Sequence, residues 1–203
     1  MIMSLALNKK LTLASKSKIR AAVLRGAGFD FDIVVSGVDE DAIKNGFKGD
    51  ADALALALAD AKAKAVVEMA TQGGLLIGAD QILECDGVLY DKPRDMDAAR
   101  ANLKTFRGKT HYLVGAAVLV EGGETVWSHS GRVALTMRDF SDAFLDAYLA
   151  AAGDAILSSV GCYQLEGLGA HLFSEIDGDY FSILGLPLLP LLQGLRAHGG
   201  LVA

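Results

Sequence analysis

The feature that most constrains the fold of this chain is a ten-residue segment, LTLASKSKIR, at residues 11–20. A short apolar run gives way to alternating hydroxyls and cations and then to a helical pattern, which predicts a strand, a loop and a helix. Backbone N–H groups at the start of such a helix would point toward the loop, beside Ser15 and Ser17. Proteins hold polyphosphates in this way, although a solvated, lysine-rich first helical turn has the same pattern.

Positive charge is concentrated around this segment. Residues 1–29 contain six basic residues and no acidic one, whereas the whole chain of 203 residues has a net charge of −6. An acidic protein that gathers its cations at one loop is suited to a small anion, because a nucleic acid requires a broader basic face. We therefore expect a small phosphate-bearing partner and no nucleic acid.

Apolar runs and cysteines indicate a cytoplasmic protein without a membrane partner. No apolar stretch is long enough to cross a bilayer, and the N-terminus lacks the pattern of a secretory signal. Cys85 and Cys162 are far apart and have no neighbouring ligand pattern, which favours reduced thiols over a disulfide or a metal pair.

The pattern along the chain predicts a mixed α/β fold. Helices are predicted at residues 50–69, 95–106 and 141–152 and from Pro187 onward, hairpins at 75–90 and 112–137, and short strands at 31–35, 172–176 and 180–184. Without a linker or a repeat, we expect a single domain over residues 1–203. Its mixed, twisted sheet would be flanked by helices, with two lobes around one cleft.

An acidic residue inside an apolar strand is the leading candidate for chemistry. Asp80 lies within the apolar run at residues 75–83. An ionised carboxylate there costs free energy unless it is paired, bound to a metal or at an open cleft. The plainer interpretation is an acidic residue that faces solvent from the strand. However, Gly78 and Ala79 leave room for a ligand, and acidic residues with perturbed pKa values tend to mark functional sites.

Other charged residues would complete a hydrolytic site. A hard divalent ion takes oxygen ligands, which Glu40 and Asp80 can supply together with triphosphate oxygens. Arg20, Lys62 and Lys92 can neutralise phosphate charge, and a carboxylate beside the metal can accept a proton from the attacking water. Individually these residues are unremarkable, and residues 39–41 are typical of a solvated loop end. Together they predict hydrolysis without a covalent nucleophile.

Short motifs also follow one another in an order that is typical of a known family. They are LASKSKIR at 13–20, DE at 39–40, LADAKA at 58–63, GAD at 78–80, DG at 86–87, KP at 92–93, GKTH at 108–111 and GLP at 185–187. In this order the chain resembles the Maf-type nucleoside triphosphate pyrophosphatases from about residue 11 to about residue 195. Lys18 stands where the opening motif of that family has proline.

The resemblance implies a two-lobed, inosine-triphosphatase-like fold with a central nucleotide cleft, usually in a homodimer. It implies cleavage of a nucleoside triphosphate to the monophosphate and pyrophosphate, with Mg²⁺ or Mn²⁺ as cofactor and Asp80 as proton acceptor. The metal ligands that it implies are Glu40 and Asp80. The substrate-binding residues that it implies are Ser15, Ser17, Arg20, Lys62 and Lys92.

Three positions bear on the base, and all three differ from the dTTP/UTP branch of the family. That branch has arginine in place of Ile19, threonine in place of Gln81 and glutamine in place of Glu166. Gln81 and the EGLG loop at 166–169 are similar to the branch that prefers 7-methyl-GTP. A carboxylate accepts hydrogen bonds from guanine and meets the O4 of uracil or thymine badly. Ile19, however, replaces a tryptophan that is often present in that branch and could stack on a methylated base.

We therefore predict a house-cleaning hydrolase for a non-canonical or modified nucleotide, with 7-methyl-GTP as one candidate and dTTP or UTP as the alternative. A nucleotide-binding regulator of cell division or septum formation is a second hypothesis, motivated by the history of the family. The acid and cation set favours the enzyme, because a protein that only binds nucleotide needs no proton acceptor.

Overall fold

The computed structural model describes residues 8–70 and 72–201. In chain order its elements are β1 (Leu11–Leu13), α1 (Lys18–Gly26), β2 (Asp32–Ile33), α2 (Glu40–Gly46), α3 (Ala51–Lys64), β3 (Leu75–Cys85), β4 (Val88–Tyr90), α4 (Met96–Phe106), β5 (Thr110–Glu121), β6 (Glu124–Met137), α5 (Asp142–Ala152), β7 (Phe173–Asp177), α6 (Tyr180–Ile183) and α7 (Leu188–Ala197). Short 3-10 helices lie at Val67–Met69, Gly153–Ser158 and Leu168–Leu172.

The strands form one seven-stranded sheet of mixed direction. Its order is β2-β1-β3-β5-β6-β7, and β4 pairs with β3 outside this path. β1 runs parallel to both β2 and β3, whereas β4 is antiparallel to β3 and β7 is antiparallel to β6. This arrangement confirms the predicted α/β class with a mixed sheet and flanking helices.

The chain divides into two compact units. The first combines the residues up to Gln81 with Gly115–Gly131 and those from Tyr180 onward, and the second combines Ile82–Val114 with Arg132–Asp179. The long strands β3, β5 and β6 each contribute residues to both units. Neither unit is therefore a continuous stretch of sequence.

The first unit is built on the buried strands β1 and β3. Its hydrophobic core includes Leu13 and Ile77 from these strands, Leu24 from α1 and Leu191 from α7, all fully buried. Burying apolar side chains of this size stabilises a fold by roughly 1.5–3 kcal/mol each. The core therefore holds the loop after β1 and the middle of β3 in place, and both carry predicted site residues.

Local sequence accounts for the elements of the second unit. Asp86 and Gly87 both have positive φ, at 53° and 77°, as the tight turn between β3 and β4 requires. The side chain of Asp95 caps α4 by accepting from Ala98 N at 2.8 Å, as predicted. Ser141 caps α5 by accepting from Phe144 N at 3.2 Å, which confirms the predicted start of that helix.

Several predicted boundaries were wrong. The helix predicted at 50–69 ends at Lys64, and a separate 3-10 turn follows where two valines lower helix propensity. The strand predicted at 180–184 is helix α6, since a short apolar run does not distinguish the two states. Residues 39–41 begin helix α2 instead of ending a loop, and α7 begins at Leu188, just after Pro187.

No helix within residues 8–70 and 72–201 is both long and apolar enough to cross a membrane.

Candidate functional site

The loop after β1 is closed by hydrogen bonds between its own residues. Ser17 is the N-cap of α1, and its Oγ accepts from Arg20 N at 3.3 Å. Ser15 is buried, and its Oγ accepts from Ser17 N at 3.2 Å. The predicted strand, loop and helix are therefore confirmed, and both hydroxyls hold the loop in shape at the positive end of the helix.

A buried lysine joins the two predicted metal-binding carboxylates. Lys62 Nζ lies 2.5 Å from Asp80 Oδ1 and 2.9 Å from Glu40 Oε1. Lys62 is 8% exposed and Asp80 is 5% exposed. The carboxylate inside the apolar strand is thus paired, which is what a buried charge requires. We call these three residues the acid–lysine cluster.

The close packing of α3 on β3 brings this cluster together. A Cβ at Gly78 would collide with the backbone carbonyl of Ala59 and would lie 2.9 Å from the Cβ of Ala63. Only glycine therefore allows α3 to come this close to the strand. Lys62 lies one helical turn beyond Ala59, and Asp80 lies two residues beyond Gly78 on the same face of the strand. The two side chains meet for this reason.

The charges of the cluster influence one another. Burial by itself would raise the pKa of Glu40, but the hydrogen bond and the charge of Lys62 outweigh it, and with Lys44 and Lys16 they leave that pKa lowered. Burial lowers the pKa of the Arg20 guanidinium, while the nearby charges of Asp80 and Glu40 act in the opposite direction. The charges of Arg20 and Lys62 thus both act on the carboxylates of Asp80 and Glu40.

Arg20 is already bonded to backbone groups of its own unit. Its Nη1 donates to Ala79 O at 2.8 Å and its Nε to Gly185 O at 2.7 Å, with a longer contact of 3.4 Å from Nη1 to Ser15 Oγ. Among the described residues no hydrogen bond is made by its third nitrogen, Nη2. Arg20 therefore links α1 to the residue before Asp80, a link that the sequence motifs did not reveal.

The predicted specificity residues Ile19 and Gln81 lie in the first unit. Ile19 is exposed on α1 and borders an apolar groove of about 360 Å³. The Nε2 of Gln81 donates to Ser182 O at 2.8 Å and to Ile183 O at 3.3 Å. Sequence reasoning missed these backbone acceptors, because α6 was predicted as a strand and nothing in a motif marks a carbonyl group.

Lys92 and Glu166 belong to the second unit, and their assignment to the site stays a prediction. Lys92 is exposed after β4, and Glu166 is exposed on the loop at residues 161–169. Cys162, the second residue of this loop, has φ 59°. Its backbone carbonyl accepts a hydrogen bond from the hydroxyl of Tyr148 at 3.1 Å.

A buried aromatic and histidine pair anchors the same loop. The hydroxyl of Tyr163 lies 2.8 Å from His111 Nε2, and His111 is fully buried. Burial lowers the pKa of His111 to about 4, so the ring is neutral at physiological pH. The GKTH motif therefore supplies a structural histidine, and the sequence offered no signal that it contacts Tyr163.

The described residues do not contain a group of three or more His, Cys, Asp or Glu side chains arranged to hold a metal ion. The donor set of Asp80 and Glu40 nevertheless fits a hard cation. Both carboxylates already bind one cationic centre, Lys62 Nζ. Mg²⁺ is usually held by one or two carboxylates, with substrate phosphates and water completing the shell.

Comparison with known proteins gives a family and several similar proteins. A family model described as "Maf-like protein" matches residues 10–198. A protein of Paramagnetospirillum magneticum named nucleoside triphosphate pyrophosphatase is 50% identical over 94% of this chain and 99% of its own length. A protein of Brucella suis biovar 1 named 7-methyl-GTP pyrophosphatase is 47% identical over 92% of this chain and 95% of its own length. A solved nucleoside triphosphatase (dITP/XTP pyrophosphatase) of Mycobacterium abscessus is 16% identical, with a TM-score of 0.40 over 94% of each chain.

Proposed function

This chain belongs to the Maf-like protein family, and we propose from that premise that it is a nucleoside triphosphate pyrophosphatase. The observation that carries the proposal is the acid–lysine cluster, in which a buried carboxylate is held against one ammonium beside a loop suited to phosphate. The names of relatives that match nearly the whole length of the chain support the same activity.

The triphosphate would be bound by the loop after β1 and by cations. Backbone N–H groups at the start of α1 point toward this loop, together with Ser15 and Ser17. Lys62 would contact phosphate oxygens, and Arg20 would do so through Nη2. Lys92 is included in this proposal as a further phosphate ligand, because an ammonium group forms charge-assisted hydrogen bonds with phosphate oxygens.

A divalent cation, Mg²⁺ or Mn²⁺, would be held by Asp80 and Glu40. Charge balance supports this requirement, because Arg20 and Lys62 are already offset by the two carboxylates and so cannot neutralise a triphosphate by themselves. When bound, the metal would polarise the phosphoryl oxygens.

Asp80 would accept a proton from the water that attacks the α-phosphorus. The water oxygen forms the new bond, the bond between the α-phosphorus and the bridging oxygen breaks, and pyrophosphate leaves with the bond electrons. The pKa values of the two thiols favour water as the nucleophile. Burial raises the pKa of Cys162 to about 12 and also raises the pKa of Cys85. Neither thiol is therefore a ready nucleophile.

We further propose a guanine-type substrate, with 7-methyl-GTP among the candidates. Glu166 would accept from the N1–H and amino groups of the base, and the name of the Brucella suis relative supports this preference. Ile19, at the edge of the apolar groove, would influence which base is accepted. We also propose that the protein is cytoplasmic and forms a homodimer.

The direct test is a panel of nucleoside triphosphates, including GTP, 7-methyl-GTP, dTTP and UTP, assayed for pyrophosphate release with Mg²⁺ and with Mn²⁺. We expect pyrophosphate and monophosphate as products, and turnover about 10²–10⁴-fold lower for Asp80→Asn. Hydrolysis in ¹⁸O-water should label the monophosphate alone. Orthophosphate and diphosphate as products, or near-normal turnover by Asp80→Asn, would contradict the assignment.

A further inference from the structure

The residue after Asp80 is bonded to a short segment at residues 182–185, which we call the bracing turn. Gln81 Nε2 donates to Ser182 O at 2.8 Å and to Ile183 O at 3.3 Å. A side-chain amide has two N–H donors. Both are therefore occupied by backbone carbonyls of the bracing turn.

The residue before Asp80 is bonded to the same turn through an arginine. The carbonyl of Ala79 accepts from Arg20 Nη1 at 2.8 Å, and Nε of that guanidinium donates to Gly185 O at 2.7 Å. Gly185 has φ 92°, a conformation that favours glycine. The turn is thus shaped to receive both Arg20 and Gln81.

The contacts of Gln81 lie on the opposite face of β3 from the lysine. Successive residues of a strand point to opposite faces, so Asp80 faces α3 and Lys62, whereas Gln81 faces the bracing turn. Lys62 holds the carboxylate directly at 2.5 Å. The bonds to the bracing turn hold the backbone on both sides of it, which restricts rotation of the strand about its axis.

We propose that Gln81 is a positioning residue that sets the orientation of the Asp80 carboxylate through the bracing turn. The inference rests on the proposed hydrolysis, because the orientation of Asp80 affects turnover only if Asp80 accepts the proton. It assigns to Gln81 a task in addition to the predicted one at the base, and the Nε2 bonds that carry this task are made within the protein.

The test is the variant Gln81→Met, which keeps the length of the side chain and removes both donors. We expect kcat to fall about 10- to 100-fold, as is usual when a group that supports a site residue is lost. KM should stay within about twofold of its original value, because substrate contacts are retained. The fall should occur with each of GTP, 7-methyl-GTP, dTTP and UTP, because positioning of Asp80 does not depend on the base.

The loss of kcat at a retained KM, measured per folded molecule, is a readout that a merely structural role would not give. Gln193→Met is the matched control, because Gln193 is an exposed glutamine on α7. It should leave kcat, KM and Tm unchanged. Gln81→Glu, which turns an acceptor toward two carbonyls, should be at least as slow as Gln81→Met and serves as the second variant.

The outcomes separate this inference from the proposed function. An unchanged kcat in Gln81→Met, or a fall confined to one base, would overturn the positioning role while leaving the hydrolase intact. A wild-type protein that releases no pyrophosphate from any nucleotide would overturn the proposed function, and the positioning role with it. A fall common to all bases, with KM retained, would establish the positioning role.

Discussion

Replacing Lys62 by methionine should destabilise the fold and do so in a pH-dependent way. The ammonium is nearly buried and lies 2.5 Å from Asp80 and 2.9 Å from Glu40. Removing one partner of a buried ion pair costs roughly 3–5 kcal/mol, because the other charge stays buried and unpaired. Glu40 is more exposed and can be solvated, and Arg20 remains near Asp80. We therefore expect the lower end, about 3 kcal/mol.

The loss should be larger at pH 7 than at pH 3. The hydrogen bond and the charge of Lys62 lower the pKa of Glu40, so this part of the stability is present above the unfolded pKa of that carboxyl and is lost as the pH falls through its folded pKa. For a chain of this size, about 3 kcal/mol corresponds to a decrease in Tm of roughly 6–12 °C. Urea unfolding of both proteins at pH 3 and pH 7 measures the difference directly.

Lys64→Met is the matched control on the same helix. Lys64 is 44% exposed at its side chain and pairs with Asp60 at 2.9 Å. A surface pair of this kind contributes less than about 1 kcal/mol. A double-mutant cycle with Asp80→Asn should show coupling, since the double variant removes both charges. Equal losses for the two lysine variants, a loss independent of pH, or an additive cycle would refute the reasoning.

Three further predictions follow from the same structure. Gly78→Ala should lower stability by about 1–3 kcal/mol, because its Cβ collides with the Ala59 carbonyl; an unchanged Tm would contradict the close packing. Glu40→Gln should lose less than about 1 kcal/mol above the unfolded pKa of 4.5, and the loss should disappear as the pH falls through the lowered folded pKa of Glu40; urea unfolding from pH 3 to 7 checks this. Glu166→Gln should reduce kcat/KM for GTP relative to UTP by about 10-fold or more, and an unchanged ratio from competition assays would exclude Glu166 from base recognition.

Much of the fold could be predicted because local signals and long-range packing agree. The Asp86-Gly87 turn and the caps Asp95 and Ser141 lie where the sequence predicts them. The prediction failed at residues 180–184, which form helix α6. A five-residue apolar run fits a strand or a buried helical turn equally well, so only its surroundings decide between them.

The candidate site divides in the same way. The sequence by itself determined which residue types the site contains. An acidic residue inside a buried apolar strand requires a partner, and on that ground the sequence predicted Asp80 as a site residue. Which partner it has was decided by tertiary structure. Gly78 allows α3 to approach β3, and that approach makes Lys62 the group that pairs with Asp80 and Glu40.

Only the tertiary structure placed the bonds of Arg20 and Gln81. Both side chains donate to backbone carbonyls of residues 182–185, which lie about a hundred positions or more along the chain. Every residue carries the same backbone carbonyl, so a sequence pattern holds no information about which one is bonded. The sequence determines the chemical character of the side chains, whereas contact between distant backbone groups depends on how the whole core packs.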